Sequence, residues 1–317
     1  MLHVLRRGVR CFEVATAAPG WRPAEDVVWV DLLKPSREEE LAVEAALGVE
    51  LPTPEEMAHL EPSSRLFQEG GATFLTANIL ARSGENTPTV EPVTFVLVRG
   101  VLVTLRYQDL RAFSVFADRA PQNDVGSGTA AFLGLLDAVT ERLAEILDHT
   151  EDAVEAASVA IFQRPPSGNF QPLLKDLARA QTVTSMTRQS LVSLARLLSY
   201  AGLAPEIAGD PDCQAHLVSL QRDVQSLTEH ASFQSTHVSF LLDAALGLIN
   251  IEQNGIIKFF SVVAVVFLPP TLVASIYGMN FDLMPELHWR YGYPMALVMM
   301  VASAVLPILW FKRRGWL

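Results

Sequence analysis

Tyr277-Gly278-Met279-Asn280-Phe281-Asp282-Leu283-Met284-Pro285-Glu286-Leu287 lies between two apolar tracts, 259–277 and 293–311. Each tract has 19 residues and no Asp, Glu, Lys or Arg. At helical rise, 19 residues span about 28 Å, close to the roughly 30 Å hydrocarbon thickness of a bilayer. The reading is therefore two membrane spans joined by an external loop, 278–292. The flanks agree with it. Trp289 and Tyr291 precede the second tract, Trp310 and Trp316 lie at its end, and Lys312-Arg313-Arg314 follow. Interfacial aromatics and a basic terminal cluster (312–317) predict a cytoplasmic C-terminus, and an even number of spans puts the N-terminus on the same side. Met1–Arg10 carries three arginines with no apolar stretch behind them, so no signal peptide is expected. The expected location is the inner (plasma) membrane.

Composition divides along the same line. The 317 residues are 50% hydrophobic with a mean hydropathy of +0.26, yet the net charge is −11, from 24 Lys+Arg against 35 Asp+Glu. Residues 1–258 carry net −13 and residues 259–317 net +2. An acidic, solvated region is thus joined to an almost uncharged tail. This acidic balance disfavours nucleic acid as a partner, since binding it needs a basic footprint for phosphate. Cys11 and Cys213 are isolated, in no metal-ligand spacing, and lie in the region assigned to the cytoplasm, so a disulfide is not expected.

The expected organisation is an α+β cytoplasmic domain (1–126), a helical stalk (127–258), and the two spans. In the first part, Val27–Asp31 reads as a strand. Ser36 with Glu39 forms a capping box for a helix running to about Leu47, with Gly48 at its end. Thr53-Pro54-Glu55-Glu56 opens a second, short helix. Arg65–Gln68 pairs with Ala72–Arg82 across Glu69-Gly70-Gly71, and Val93–Val98 with Val101–Arg106 across Arg99-Gly100. A helix follows from Asp109 to about Arg119. No glycine-rich phosphate loop, nucleophile elbow or paired-carboxylate motif is present, and the chain reads as a non-enzyme. Helices over Thr129–Phe162 and Leu173–Tyr200 come next. After Pro211 no proline occurs until Pro269, so one long helix is expected to run into the first span. Its apolar repeat, Leu217, Leu220, Val224, Leu227, predicts packing against copies of itself. His230 and His237 sit seven residues apart, about 10 Å along a helix, and could hold zinc only with ligands from another helix or chain. A solvated stalk accounts for them more simply.

Two spans cannot enclose a pathway alone, so conduction would need several copies around an axis. One face continues at three- and four-residue spacing through Asn254, Ile257, Ser261, Ala264, Leu268, Thr271, Ser275 and Gly278. Such a small and polar stripe suits either a narrow central seam or close helix packing.

The segment 277–287 resembles the CorA family of divalent-cation channels, whose signature is Gly-Met-Asn at the end of the first span followed by Met-Pro-Glu-Leu. The likeness extends through Leu268-Pro269-Pro270-Thr271 and Gly292-Tyr293-Pro294, and is architectural before Asp243. It implies a funnel-shaped homopentamer in the lipid bilayer that passes hydrated Mg²⁺, with Co²⁺ and Ni²⁺ as further cargo. It places Gly278, Met279 and Asn280 at the selectivity filter, Asn254 near the inner mouth, Thr271 within the pore, and Ile257, Phe260 and Leu268 near a hydrophobic constriction. Asp282 and Glu286 become the acids of the external loop. It also implies that Mg²⁺ is regulatory as well as transported, with Asp223 as stalk sensor and Asp243 near the inner mouth. The chemistry agrees: Mg²⁺ sheds water reluctantly, and a ring of neutral Asn280 carbonyls can accept hydrogen bonds from its hydration shell. Two alternatives stand beside this. One is a ZntB-like zinc transporter of the same superfamily, against which the Met-Pro-Glu-Leu loop argues. The other is a membrane-anchored sensor that does not conduct, against which the aligned polar seam argues.

Overall fold

Alternating and continuous apolar runs in the first 106 residues fold into one seven-stranded sheet. The computed structural model describes residues 1–8, 13–15, 21–59, 65–81, 88–120, 125–163, 170–280, 284 and 288–315. The strands are β1 (Leu2–Arg6), β2 (Glu13–Ala15), β3 (Val27–Leu33), β4 (Leu66–Glu69), β5 (Ala72–Ala81), β6 (Thr89–Val98) and β7 (Val101–Arg106). Their spatial order is β2-β1-β3-β7-β6-β5-β4. All neighbours are antiparallel except β3 and β7, which run parallel with Asp31 opposite Thr104 and Leu33 opposite Arg106. The expected hairpins form: Gly70 and Gly71 (φ +58° and +79°) turn β4 into β5, and Arg99 and Gly100 (φ +50° and +78°) turn β6 into β7. Two-residue turns with positive φ match the twist of the strands they join.

Both faces of the sheet are covered, which is why its strands are apolar on both sides. One face, with Val30, Leu32, Phe74, Val96 and Val103, packs with Val43 and Leu47 of α1 (Arg37–Leu47) and Met57 of α2 (Pro54–His59). The capping box of α1 is present: Glu39 N–H donates to Ser36 Oγ at 3.3 Å, and Ser36 N–H to Glu39 Oε2 at 2.9 Å. Thr53 and Glu56 make the same reciprocal pair at α2. The other face packs with α3 (Arg111–Arg119), α4 (Gly128–Gln163), α5 (Gln171–Ala201) and the first part of α7 (Pro211–Tyr277) around Trp29, Phe95, Phe113 and Phe132. The single turn α6 (Pro205–Ala208) precedes α7, and α8 (Gly292–Arg313) ends the described chain.

The α+β region and the helices expected to form a stalk therefore share one hydrophobic core. Two compact units result, one built from Met1–Gln163 with Gln171–Leu242, the other including Asp243–Leu317. Within the first, Leu217, Leu220, Val224, Ala231, Gln234, Val238 and Leu241 of α7 are buried at spacings of three, four and seven. This corrects the expectation that the Leu217–Leu227 repeat packs against copies of the chain. Leu217, Leu220 and Val224 belong to the core that α4 and α5 share, and farther along α7 Gln234 Nε2 donates to the Leu147 carbonyl of α4 at 3.2 Å and accepts from Thr184 Oγ1 of α5 at 3.1 Å. The partner of the seam could not be assigned from one helix because α4 and α5 each carry an apolar face of their own.

A buried polar network ties β3 to β7. Trp29 Nε1 donates to Thr104 Oγ1 (3.0 Å), and Thr104 Oγ1 donates to Asp31 Oδ1 (2.7 Å). Arg106 donates to both Asp31 oxygens, through Nε at 3.1 Å and Nη2 at 2.8 Å. Burial alone would raise the Asp31 pKa, but the nearby His3 ring, the hydrogen bonds from Arg106 and Thr104 and the Arg106 charge together hold it below its ordinary 3.8. A depressed carboxylate stabilises the fold above its unfolded pKa, and that contribution fades as pH falls through the lower folded value. Two outcomes follow. Arg106→Ala, which strands a buried carboxylate, is expected to cost about 3–5 kcal/mol in thermal or denaturant unfolding. In Asp31→Asn the acid-dependent loss of stability below about pH 3.8 is expected to shrink relative to wild type.

Candidate functional site

Within the second unit, α7 supplies the whole stripe singled out from the sequence. Asn254, Ile257, Ser261, Ala264, Leu268, Thr271, Ser275 and Gly278 are all exposed, as is Phe260. The half-buried positions of the same stretch are Val262, Val266, Pro269, Pro270, Val273 and Tyr277. At 100° per residue the two sets centre about 180° apart on the helix. Val265, between them, lines a groove with Leu306, Pro307, Trp310 and Phe311 of α8. The stripe is thus part of an exposed surface of α7 that also takes in Phe259, Val263, Phe267, Leu272 and Ile276, and it lies on the side away from the half-buried positions. Phe260 and Ser261, about 100° apart, flank its centre line.

The polar members share one feature. Ser261 Oγ donates to the Ile257 carbonyl and Thr271 Oγ1 to the Phe267 carbonyl, both at 2.7 Å. Each hydroxyl proton is committed to the helix's own backbone, so the oxygen presents lone pairs outward. Asn254 and Asn280 add amide carbonyls at either end of the stripe, and both residues are exposed. Toward a hydrated cation, whose waters point hydrogens outward, this surface can act as a line of neutral acceptors.

The helix ends at Tyr277, and Gly278 makes the closing turn, its N–H donating to the Ala274 carbonyl at 2.9 Å. Gly278 is not in the left-handed region that commonly ends helices. A Cβ there would stand 3.0 Å from the Ala274 oxygen, so close approach rather than positive φ is what calls for glycine. Met279 and Asn280 follow, exposed. Asp282 and Glu286 lie outside the described residues.

Acidic residues gather away from the apolar segment. Asp223, the expected sensor, is exposed on α7, and its charge acts on Asp137 of α4. Asp137 is half-buried and bonded to His216 across 2.6 Å. Desolvation raises its pKa, His216 opposes the rise, and Glu141 and Asp223 add to it. Asp137 lies 86 positions from Asp223 in the same chain, so the sequence alone does not show that the two carboxylates interact. Asp243 is exposed on α7. Of the histidines, His230 does find ligand-type neighbours on another helix: its ring and the carboxylates of Asp148 and Glu151 bring their ligand atoms within 4.8 Å of one another. His237 is not in that group; its ring lies 6.3 Å from that of Phe233. The i, i+3 pair Asp148–Glu151 on α4 was the available signal for this cluster.

An α+β unit, a 67-residue helix ending at Tyr277, and a second helix, both helices long and apolar enough to cross a membrane, define the architecture of a two-span membrane protein. The model of the family described as CorA-like Mg²⁺ transporter protein matches residues 24–313. The chain belongs to this family. It is 38% identical over 295 residues to a magnesium transport protein CorA of Haemophilus ducreyi, covering 92% of each chain. It is 36% identical over 298 residues to the magnesium transport protein CorA of Escherichia coli K12, covering 93% of this chain and 94% of that one. In fold it is similar to the complete structure of the CorA magnesium transporter from Methanocaldococcus jannaschii, with a TM-score of 0.78 at 17% identity over 100% of this chain and 99% of that one.

Gly278→Ala is expected to destabilise the detergent-solubilised protein by about 1–3 kcal/mol in thermal unfolding, because the added methyl crowds the Ala274 carbonyl. Gly255→Ala, whose Cβ would meet nothing within 4 Å, is expected to be neutral or to stabilise α7 by up to about 1 kcal/mol.

Proposed function

We propose that this magnesium transporter works as a homopentamer in the inner membrane, both termini cytoplasmic, with the α7 stripe of each copy facing a shared axis. The observation that carries the reading is the uncovered polar stripe, set about opposite the half-buried face of α7 and ending at Gly278-Met279-Asn280. Five such stripes would line a path with neutral oxygen acceptors from Asn254 to Asn280. Gly278, Met279 and Asn280 form the selectivity filter. Ser261, Ala264, Thr271 and Ser275 line the conduit, and Ile257, Phe260 and Leu268 narrow it with apolar surface that gates by excluding water. Asp282 and Glu286 concentrate cations at the outer entrance. Mg²⁺ is the cargo, with Co²⁺ and Ni²⁺ following the same route.

Regulation rests on the cytoplasmic acids. Asp223 and Asp137 repel one another when bare, and a bound Mg²⁺ relieves that repulsion. Cytoplasmic Mg²⁺ therefore stabilises the closed assembly, with Asp243 contributing at the inner mouth. The identities of 36–38% to magnesium transport proteins support Mg²⁺ over the zinc-transporting alternative. The stripe supports conduction over a mere anchor.

Two experiments test this. In liposomes carrying an internal Mg²⁺ dye, wild-type protein is expected to admit Mg²⁺, and Asn280→Ala to lower the rate about tenfold or more while keeping the same oligomeric state. The loss of one charge-assisted acceptor per copy sets that scale. Absence of flux from a well-folded oligomer sinks the channel reading, and proton-coupled Zn²⁺ flux with little Mg²⁺ transfers it to the zinc transporter. Removing Mg²⁺ with a chelator is expected to increase protease cleavage of the cytoplasmic region, and less so in Asp223→Asn. Unchanged cleavage counts against Mg²⁺-dependent gating.

A further inference from the structure

The first unit contains one feature that runs against its own charge. Between α5 and the β4–β5 side of the sheet lies a cleft of about 570 Å³, within the range typical of small-molecule sites. Arg65, Arg188 and Arg196 line it, and among the described residues no Asp or Glu does. This is a concentration of positive charge in a region of net −13. Arg188 and Arg196 are both exposed on α5, and among the described residues neither forms an ion pair.

The other groups lining the cleft are hydrogen-bonding donors or apolar. Ser193 Oγ accepts the Asn78 backbone N–H at 2.9 Å, which leaves its own O–H to donate into the cleft. The Asn78 side chain and Gln189 add amide N–H groups. Guanidinium forks, hydroxyls and amides without a carboxylate are the chemistry that holds oxyanions, arginine giving paired N–H donors to phosphate. Spacing narrows the class. Arg188 and Arg196 lie eight residues apart on one helix, about 12 Å at the backbone, too far for both to grip one small phosphate in the same way. An anion carrying several phosphates in a row satisfies both. Leu66 and Val192, on opposite walls, offer apolar surface to a non-phosphate portion.

We propose that this cleft binds a polyphosphate anion, the chemistry shared by nucleoside polyphosphates and inorganic polyphosphate. Nothing in the transport pathway is needed for it, so the site stands or falls independently of conduction.

The test uses purified full-length protein in detergent, with free Mg²⁺ clamped by a metal buffer so that chelation by the probe does not act on the protein. Calorimetric titrations with ATP, inorganic tripolyphosphate and adenosine are compared. Saturable binding of ATP and tripolyphosphate, and none of adenosine, is expected. Tighter ATP than tripolyphosphate would assign the source to nucleotides, and equal affinity to the phosphate chain alone. Arg188→Gln and Arg196→Gln are each expected to weaken binding about tenfold or more. Arg188→Lys is expected to retain part of it, and Arg111→Gln, a charge-matched change on α3, to leave it unchanged. Circular dichroism and gel filtration establish that each variant is folded. Absence of binding by wild type, or equal weakening by Arg111→Gln, overturns the proposal. So does wild-type affinity in folded Arg188→Gln and Arg196→Gln.

Discussion

A single parallel seam holds the sheet together. Its strands form two antiparallel ribbons, β2-β1-β3 and β7-β6-β5-β4, which meet only where β3 runs beside β7. Across that seam Arg106 grips Asp31 with two hydrogen bonds, and Thr104 and Trp29 extend the chain of donors. An apolar pair of similar volume could fill the space as well, since a buried ion pair gains little net energy after desolvation. What the charged pair adds is register. A slip by one residue would turn Asp31 to the other face of the sheet and leave Arg106 without its partner. Arg106 also stands 4.5 Å over the Phe113 ring of α3, so the seam and the helix layer above it are fixed by the same guanidinium.

A different constraint governs the apolar segments. Hydrocarbon offers a backbone amide no partner, so a crossing segment must bond to itself as a helix. The tracts predicted from 259–277 and 293–311 accordingly lie within α7 and within α8, Gly292–Arg313. Prolines are the exception, Pro307 in α8 and the pair Pro269 and Pro270 in α7; lacking N–H groups, the α7 pair leaves the carbonyls of Val265 and Val266 without their usual helical donors. Both prolines sit on the half-buried side of α7, away from the stripe. The disturbance is thus kept off the face whose regularity the proposed conduit requires.

The parts of this architecture legible in the sequence are those fixed by local rules. The α1 capping box, the two tight hairpins and the long proline-free helix each depend on residues within a few positions of one another, and each forms as expected. What escaped depends on distant partners. Residues 89–92 at the start of β6 contain Pro92, which argues against a strand. Yet β7 pairs with β6 only from Val93 onward, so Pro92 faces no ladder on that side and needs no N–H. The short strands β1 and β2, set among arginines, gain their identity only by pairing with β3 and with each other. The stripe on α7 was legible because its period is that of the helix. The neighbour of Asp223 was not, because Asp137 reaches it from α4 through the fold.

The distribution of charge along α7 has its own logic. Asp223 and Asp243 come before the apolar segment, Asn254 stands at its approach, and between Phe259 and Tyr277 there is no Asp, Glu, Lys or Arg. A carboxylate inside the segment would carry a large desolvation cost and, repeated around an axis, would hold a dication too tightly to release it. Neutral acceptors avoid both. The serine and threonine hydroxyls spend their protons on the helix backbone, so that in the proposed conduit their outward oxygens would meet the hydrogens of a cation's water shell rather than the bare ion. For Mg²⁺, whose inner waters are costly to remove, contact through that shell is the cheaper passage. Under the proposed function, the charge that would recruit the ion and the charge-free oxygen that would let it pass are thereby kept on different stretches of one helix.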